Sequence, residues 1–192
     1  MERIRSFIAI EVPQTLQARM GELQRELKRT EADVKWVRPE GIHLTLKFLG
    51  SISLEDIEKL TLAITPVVVA WVPFEMKIFS LGCFPSSRNP RVLWLGVDRG
   101  GPEVLSLQKA IENKAAEVGF LSETKPFKPH LTLGRVRSAK GMNPLIQAME
   151  KHKDAEIGSF RVKEVHLFQS ELKPSGAVHT KLRAFLMREN QE

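Results

Sequence analysis

Apolar residues recur along this chain at strand or helix spacing, and the pattern divides it into short alternating elements. Residues 5–12 alternate, with Phe7, Ala9 and Glu11 on one face and Ile8 and Ile10 on the other, as a strand requires. Pro13 opens a helix whose Leu16, Met20, Leu23 and Leu27 form one stripe. Residues 34–37 predict a short strand leading to a Pro39-Glu40-Gly41 turn. Residues 42–49 predict a strand that Gly50 stops. Ser53 with Asp56 reads as the capped start of a second helix, with Leu54, Ile57, Leu60 and Ile64 inward. The Val67-Val68-Val69 run and Pro73 end that helix.

Residues 74–81 and 91–97 predict paired strands joined by a long loop over 82–90, rich in Ser, Pro, Arg and Asn. Pro102 starts a third helix with Val104, Leu107, Ile111, Ala115 and Val118 inward, and Gly119 ends it. A proline-punctuated loop over 120–129 delivers a strand at 130–136. Asn143 and Pro144 begin a fourth helix that runs to about Lys151. Residues 160–169 and 178–186 close the chain as strands around the Lys173-Pro174-Ser175-Gly176 turn. The order strand, helix, strand, strand thus occurs twice. It predicts an α+β fold: a single domain over residues 1–192 made of two pseudo-symmetric, interleaved lobes with no linker.

Composition narrows the class. The chain has 192 residues, 42% hydrophobic and 27% charged, as expected of a folded domain. Its net charge of +6 favours polyanionic partners such as RNA, DNA or phosphate esters. Cys83 is the single cysteine, which excludes an intramolecular disulfide and a cysteine-based zinc site and fits a reducing compartment. The apolar run at residues 7–10 is too short for a signal peptide, and the run at 60–74 is broken by Pro66 and Pro73. A cytoplasmic protein without a membrane segment is expected.

The chemistry is carried by a repeat. His43-Leu44-Thr45-Leu46 and His130-Leu131-Thr132-Leu133 are the same four residues, and they use two of the five histidines. On a strand, His43, Thr45 and Lys47 share one face and Leu44, Leu46 and Phe48 the other. His130, Thr132 and Gly134 likewise oppose Leu131 and Leu133. Two polar half-sites backed by leucine follow. In-line displacement at phosphorus needs a base on the entering oxygen and an acid on the leaving oxygen. Imidazole suits both near neutral pH. Threonine hydroxyls can donate to the non-bridging oxygens. A single such histidine would read as an ordinary exposed strand residue; the matched pair does not. The spacing offers no metal-ligand set, no Gly-x-Ser-x-Gly elbow and no phosphate-binding Gly-rich loop.

Two His-x-Thr strings in matching halves resemble the two-histidine (2H) phosphoesterase superfamily. Residues 36–50 (Trp-Val-Arg-Pro-Glu-Gly-Ile-His-Leu-Thr-Leu-Lys-Phe-Leu-Gly), 90–94 and 126–136 look like the bacterial and archaeal RNA 2′,3′-cyclic phosphodiesterases, also called 2′-5′ RNA ligases. Residues 6–10 and 184–186 also fit, so the resemblance spans nearly the whole chain. Val178-His179 departs from it, standing where relatives often carry an aromatic residue.

The resemblance implies two lobes, each an antiparallel sheet with helices, and an active site in the cleft between them. It implies hydrolysis of RNA with a 2′,3′-cyclic phosphate end, tRNA halves included, to a 2′-phosphomonoester. His43 is expected as proton donor and His130 as proton acceptor, although the pseudo-symmetry leaves the two roles exchangeable. With an RNA 5′-hydroxyl as nucleophile the same groups would form a 2′-5′ linkage. No metal, ATP, other cofactor or membrane is expected, and the expected state is a monomer. The alternatives are a phosphodiesterase for another small cyclic phosphate or 2′,5′-linked nucleotide, and an RNA-binding module without catalysis.

Thr45 and Thr132 are the expected substrate-binding hydroxyls. Phe48 and Arg135 each stand five residues after a motif histidine, where strict alternation puts them on the core face. For Phe48 burial is the simpler expectation. A guanidinium rarely buries among leucines, so Arg135 is expected past the regular strand end, reaching back to phosphate or a base. Lys47 is expected to be solvated. Trp36, Trp94 and Phe127 are expected in the core, and His152, His166 and His179 are expected to be ordinary.

Overall fold

The structure is a computed structural model and describes residues 3–174 and 176–188. The elements follow in order as β1 (Ile4–Glu11), α1 (Gln14–Lys28), β2 (Val34–Trp36), a 3-10 turn (Pro39–Gly41), β3 (His43–Ile52), α2 (Leu54–Val69), β4 (Phe74–Ser86), β5 (Asn89–Val97), α3 (Gly101–Glu117), β6 (His130–Val136), α4 (Met142–Lys151), β7 (Glu156–Val162), β8 (Glu164–Lys173) and β9 (Gly176–Leu186). All strand pairings are antiparallel. Among the described residues the sheet has nine strands in the order β7-β4-β5-β6-β3-β1-β8-β9, with β2 added to β6.

The two motif strands, β3 and β6, are neighbours at the middle of this sheet. They pair through Leu44 and Leu131. On one side β6 continues into β5, β4 and β7, and on the other β3 continues into β1, β8 and β9. The lobes are interleaved, because β4 and β5 follow the first motif in sequence yet pair into the sheet half of the second. α1 meets α4 and β7, whereas α2 and α3 meet each other, β9 and β3. Each sheet half therefore has its own helix pair, and one continuous core includes Leu44, Leu46, Leu131 and Leu133 with the inner stripes of all four helices. β1 is buried on both faces. Ile8 and Ile10 enter the main core, while Phe7, Ala9 and Phe168 form a second small cluster on the opposite face.

Local chemistry explains where the elements begin and where the expectations shift. Ser53 and Asp56 form the full capping box, with Asp56 N–H bonded to the Ser53 hydroxyl at 3.1 Å and Ser53 N–H to the Asp56 carboxylate at 2.9 Å. Leu54, at the first position of that helix, is exposed rather than inward. Pro66 lies inside α2, which runs on to Val69. Tertiary packing of Ile64 and Val68 outweighs one lost backbone bond. Gly50 does not stop β3. With φ of +70° it sits at a register shift against β1, and the strand continues to Ile52.

The expected loop over 82–90 is instead a hairpin, with β4 and β5 paired out to Ser86 and Asn89. α4 begins after Gly141, whose φ of +67° suits glycine, two residues ahead of the expected Asn143-Pro144 start. The strand expected at 160–169 is two strands, β7 and β8, joined at Lys163. The expected closing turn lies partly outside the described residues, at Ser175. Among the described residues no helix is long and apolar enough to cross a membrane.

Lys47 corrects the expectation of a solvated side chain. It is 2% exposed, and its ammonium donates to Glu112 on α3 at 2.8 Å and to the Leu121 carbonyl at 2.9 Å. Glu112 also accepts from Glu123 N–H at 3.0 Å. The pair ties β3 to α3 and to the loop that leads into the second motif. Removing one charge of a buried pair strands the other, so Lys47→Ala is expected to cost about 3 kcal/mol in urea unfolding. A Lys47→Met/Glu112→Leu double variant is expected to recover most of that loss.

Candidate active site

The motif strands present their polar face because leucine claims the other. Leu44 and Leu131 are fully buried and directly opposed. Continuing that antiparallel register by one residue in each direction sets His43 across from Thr132 and Thr45 across from His130. That register places each motif histidine at the strand position opposite the other motif's threonine. The four polar side chains face away from the leucines, on a single face at the junction of the two sheet halves.

Both strands then bulge at the same place. Between β1 and β3 the register steps from Ala9↔Thr45 to Ile8↔Lys47, leaving Leu46 as the extra residue. Between β5 and β6 it steps from Trp94↔Thr132 to Leu93↔Gly134, leaving Leu133 as the extra residue. A bulge reverses the alternation beyond it. Lys47 and Gly134 are thereby turned to the core side, and Phe48 and Arg135 to the histidine side. Gly134 is needed there because a Cβ would lie 2.7 Å from Val34 Cγ1 of β2. The Leu133 carbonyl is satisfied by the buried amide of Gln24 at 2.9 Å and by Val37 N–H at 2.9 Å.

The bulges correct two expectations. Phe48 is not core but 58% exposed, with its ring 6.4 Å from Phe7. Arg135 reaches the cleft side from within a regular pairing, opposite Val92 and Lys35, and not from beyond the strand end.

Each histidine stands in an aromatic cradle. The His43 ring stacks on Phe7 at 4.6 Å and meets His179 edge-on at 5.2 Å, and Phe7 stacks in turn on Phe168 at 5.3 Å. His130 meets Phe84 edge-on at 5.1 Å, and Phe84 lies 5.1 Å from Trp94. A Cβ on Gly82 would collide with the Trp94 ring, so glycine makes room for it. Trp94 therefore lies on the cleft side and not in the core, whereas Trp36 and Phe127 pack against the core as expected.

The backbone fixes the same tautomer in both halves. His43 Nδ1 donates to the Gly41 carbonyl at 2.8 Å, and His130 Nδ1 donates to the Lys128 carbonyl at 2.6 Å. A carbonyl only accepts, so the proton of each neutral ring sits on Nδ1. Nε2 is left as the basic nitrogen. Burial, followed by the nearby His179, lowers the His43 pKa to about 4, against the opposing pull of the Gly41 bond. Burial also lowers His179. Lys128 holds its ammonium 5.7 Å from the Phe84 ring, so positive charge stands beside the second cradle.

Of the residues singled out by sequence, His43, His130, Thr45, Thr132, Phe48 and Arg135 converge on this face, and Lys47 leaves it. His179, expected to be ordinary, is instead part of the His43 cradle. Its only signal in the sequence is its place, where the family resemblance leads to the expectation of an aromatic residue. His166 is buried in β8, across Ala9 from Thr45 in the strand register, with its ring 5.6 Å from Phe168, and it pairs with Glu164 at 3.5 Å. Among the described residues, no three His, Cys, Asp or Glu side chains gather as a metal site.

A curled antiparallel sheet with a doubled His-x-Thr face across its centre defines the class of two-histidine phosphoesterases. The model of the 2′-5′ RNA ligase superfamily matches residues 11–174, and the chain belongs to that family. It is 35% identical over 184 residues to the RNA 2′,3′-cyclic phosphodiesterase of Methanothermobacter thermautotrophicus, covering 95% of this chain and 98% of the relative. It is 32% identical to the protein of that name from Methanocaldococcus jannaschii, covering 92% and 96%. The crystal structure of TT0787 of Thermus thermophilus superposes with a TM-score of 0.80 at 27% identity, covering 97% and 100%. Apo LigT of Escherichia coli superposes with a TM-score of 0.78 at 25% identity, covering 98% and 99%.

The cradle has a consequence for stability. Unfolded, His43 takes up its proton near pH 6.5; folded, it does so only near pH 4. Acidification through that window therefore favours the unfolded chain. The melting temperature is expected to fall between pH 6.5 and 4, and to fall less in His43→Gln, as differential scanning fluorimetry would read.

Proposed function

We propose that this chain hydrolyses RNA ends carrying a 2′,3′-cyclic phosphate to 2′-phosphomonoesters, by acid–base catalysis between two histidines. The observation that carries the reading is the matched pair of imidazoles. Each is pinned through Nδ1 to a backbone carbonyl two residues upstream, and each lies across from the other motif's threonine. Such a pair leaves two Nε2 atoms able to serve opposite sides of one phosphorus atom.

In the reaction, His130 Nε2 takes a proton from water as its oxygen attacks phosphorus. The P–O3′ bond breaks, and His43 delivers the proton from its Nε2 to the departing O3′. The phosphate stays on O2′. Thr45 and Thr132 donate hydrogen bonds to the non-bridging oxygens, where charge collects in the transition state. His43 is neutral in the empty cleft at pH 7, given its pKa of about 4. The anionic substrate supplies the opposite charge that an imidazolium there needs, so this proton enters with the phosphate. The chemistry calls on no metal and no ATP. An RNA 5′-hydroxyl in place of water would yield a 2′-5′ linkage with the same groups.

The flanks supply the RNA preference. Arg135 and Lys35 are paired across β6 and β2, and Lys128 stands beside the His130 cradle, giving a cationic margin for the phosphate backbone. Phe48 offers an exposed ring for stacking a base. The names of the archaeal relatives support this substrate. Escherichia coli LigT, a protein of this fold, is crystallised in complex with 3′-AMP and with phosphate, in keeping with a phosphate-bearing ligand.

The test is incubation with a 2′,3′-cyclic-phosphate oligoribonucleotide in EDTA, with the product phosphate located by phosphorus NMR. A 2′-phosphate is expected, and His43→Ala and His130→Ala should each lower kcat by roughly 10²-fold or more. Full activity in both variants, or RNA binding with no product from the wild type, would contradict the proposal.

A further inference from the structure

We propose that His179 is a positioning residue for His43, so that the acid half of the site works as a pair of imidazoles and the whole site as a set of three. The inference rests on the two-histidine reading above and adds a residue from outside either motif. The His179 ring stands at 89° to His43 with centroids 5.2 Å apart, and at 82° to Phe7 at 5.0 Å. It also stands near the backbone that holds His43. A Cβ added to Gly41 would lie 3.8 Å from His179 Cδ2, and the Gly41 carbonyl is the acceptor for His43 Nδ1. His179 thus meets the catalytic ring edge-on and stands close to the residue that sets its tautomer.

The environment makes His179 responsive to charge. Its Nδ1 is buried with no hydrogen-bond partner, so protonation there would place an unpaired cation beside the His43 ring. The neighbouring elements carry charges of their own. Lys181 on its strand is paired with Glu11 of β1, and Arg183 with Glu58 of α2. On β8, Glu171 is paired with Lys173 and His166 with Glu164. The 3-10 turn brings Arg38 at its start and Glu40 within it. Among the described residues, His179 is the titratable group whose ring meets the His43 ring directly. Two imidazoles this close oppose one another's protonation, in line with the share of the His43 lowering that comes from His179. A neutral aromatic side chain at this position would give His43 the same wall without the charge.

That difference provides the test. His179→Phe keeps a ring against His43 and Gly41 and removes the charge, while His179→Ala removes both. The titration of His43 Cε1–H is followed by proton NMR in the substrate-free protein, and kcat/KM is followed against pH on the cyclic-phosphate oligoribonucleotide. In His179→Phe the His43 midpoint is expected to rise by about half a unit or more, with the limb of the pH profile that tracks His43 moving the same way. His179→Ala is expected to lose kcat at every pH, and His179→Phe to restore it. A His43 midpoint unchanged in His179→Phe, or pH profiles that superimpose, would overturn the inference. The NMR titration needs no turnover, so an inactive wild type would sink the hydrolase reading and still leave this result decisive.

Discussion

Leu44 and Leu131 face each other where β3 and β6 meet, and the placement of the whole site follows from that pairing. Both are fully buried in the main core, so neither strand can slip by one residue without turning leucine outward and histidine inward. The register that buries the leucines is the register that sets each histidine across from the other motif's threonine. A general apolar force thereby fixes a specific polar geometry. The helix pairs on each sheet half hold the leucines in place, and the histidines inherit that rigidity.

The bulges at Leu46 and Leu133 add a second layer to this design. They reverse the alternation just beyond each motif, so the strands deliver Phe48 and Arg135 to the working face. They also explain why equivalent positions carry unlike residues. Lys47 meets Glu112 of α3 on one side, while Gly134 lies under Val34 and Trp36 of β2 on the other. The machinery is two-fold symmetric at the histidines and threonines and asymmetric in what surrounds it. An asymmetric substrate can use that difference to distinguish the two imidazoles.

Much of this is legible in the sequence. The inner stripes of α1 and α3, the Ser53 cap and the doubled His-x-Thr face all rest on local periodicity or local capping, which a sequence displays directly. The departures share a cause. Phe48, Lys47 and Arg135 break strict alternation because of a bulge, and a bulge is a property of the partner strand's register, invisible in the bulged strand alone. The 82–90 hairpin is masked by Pro85, Pro90 and a polar composition that usually marks a loop. His179 is inconspicuous because it comes from the last strand, far from either motif in sequence, and meets His43 only when β9 closes onto the edge of β8.

The central claim is a division of labour: His43 protonates O3′ while His130 deprotonates water. A substrate whose bridging 3′ oxygen is replaced by sulfur tests it most directly, because a thiolate leaves without a proton. The account predicts that His43→Ala regains most of its lost rate on this substrate and that His130→Ala does not. Recovery in His130→Ala instead, or in neither variant, would contradict it.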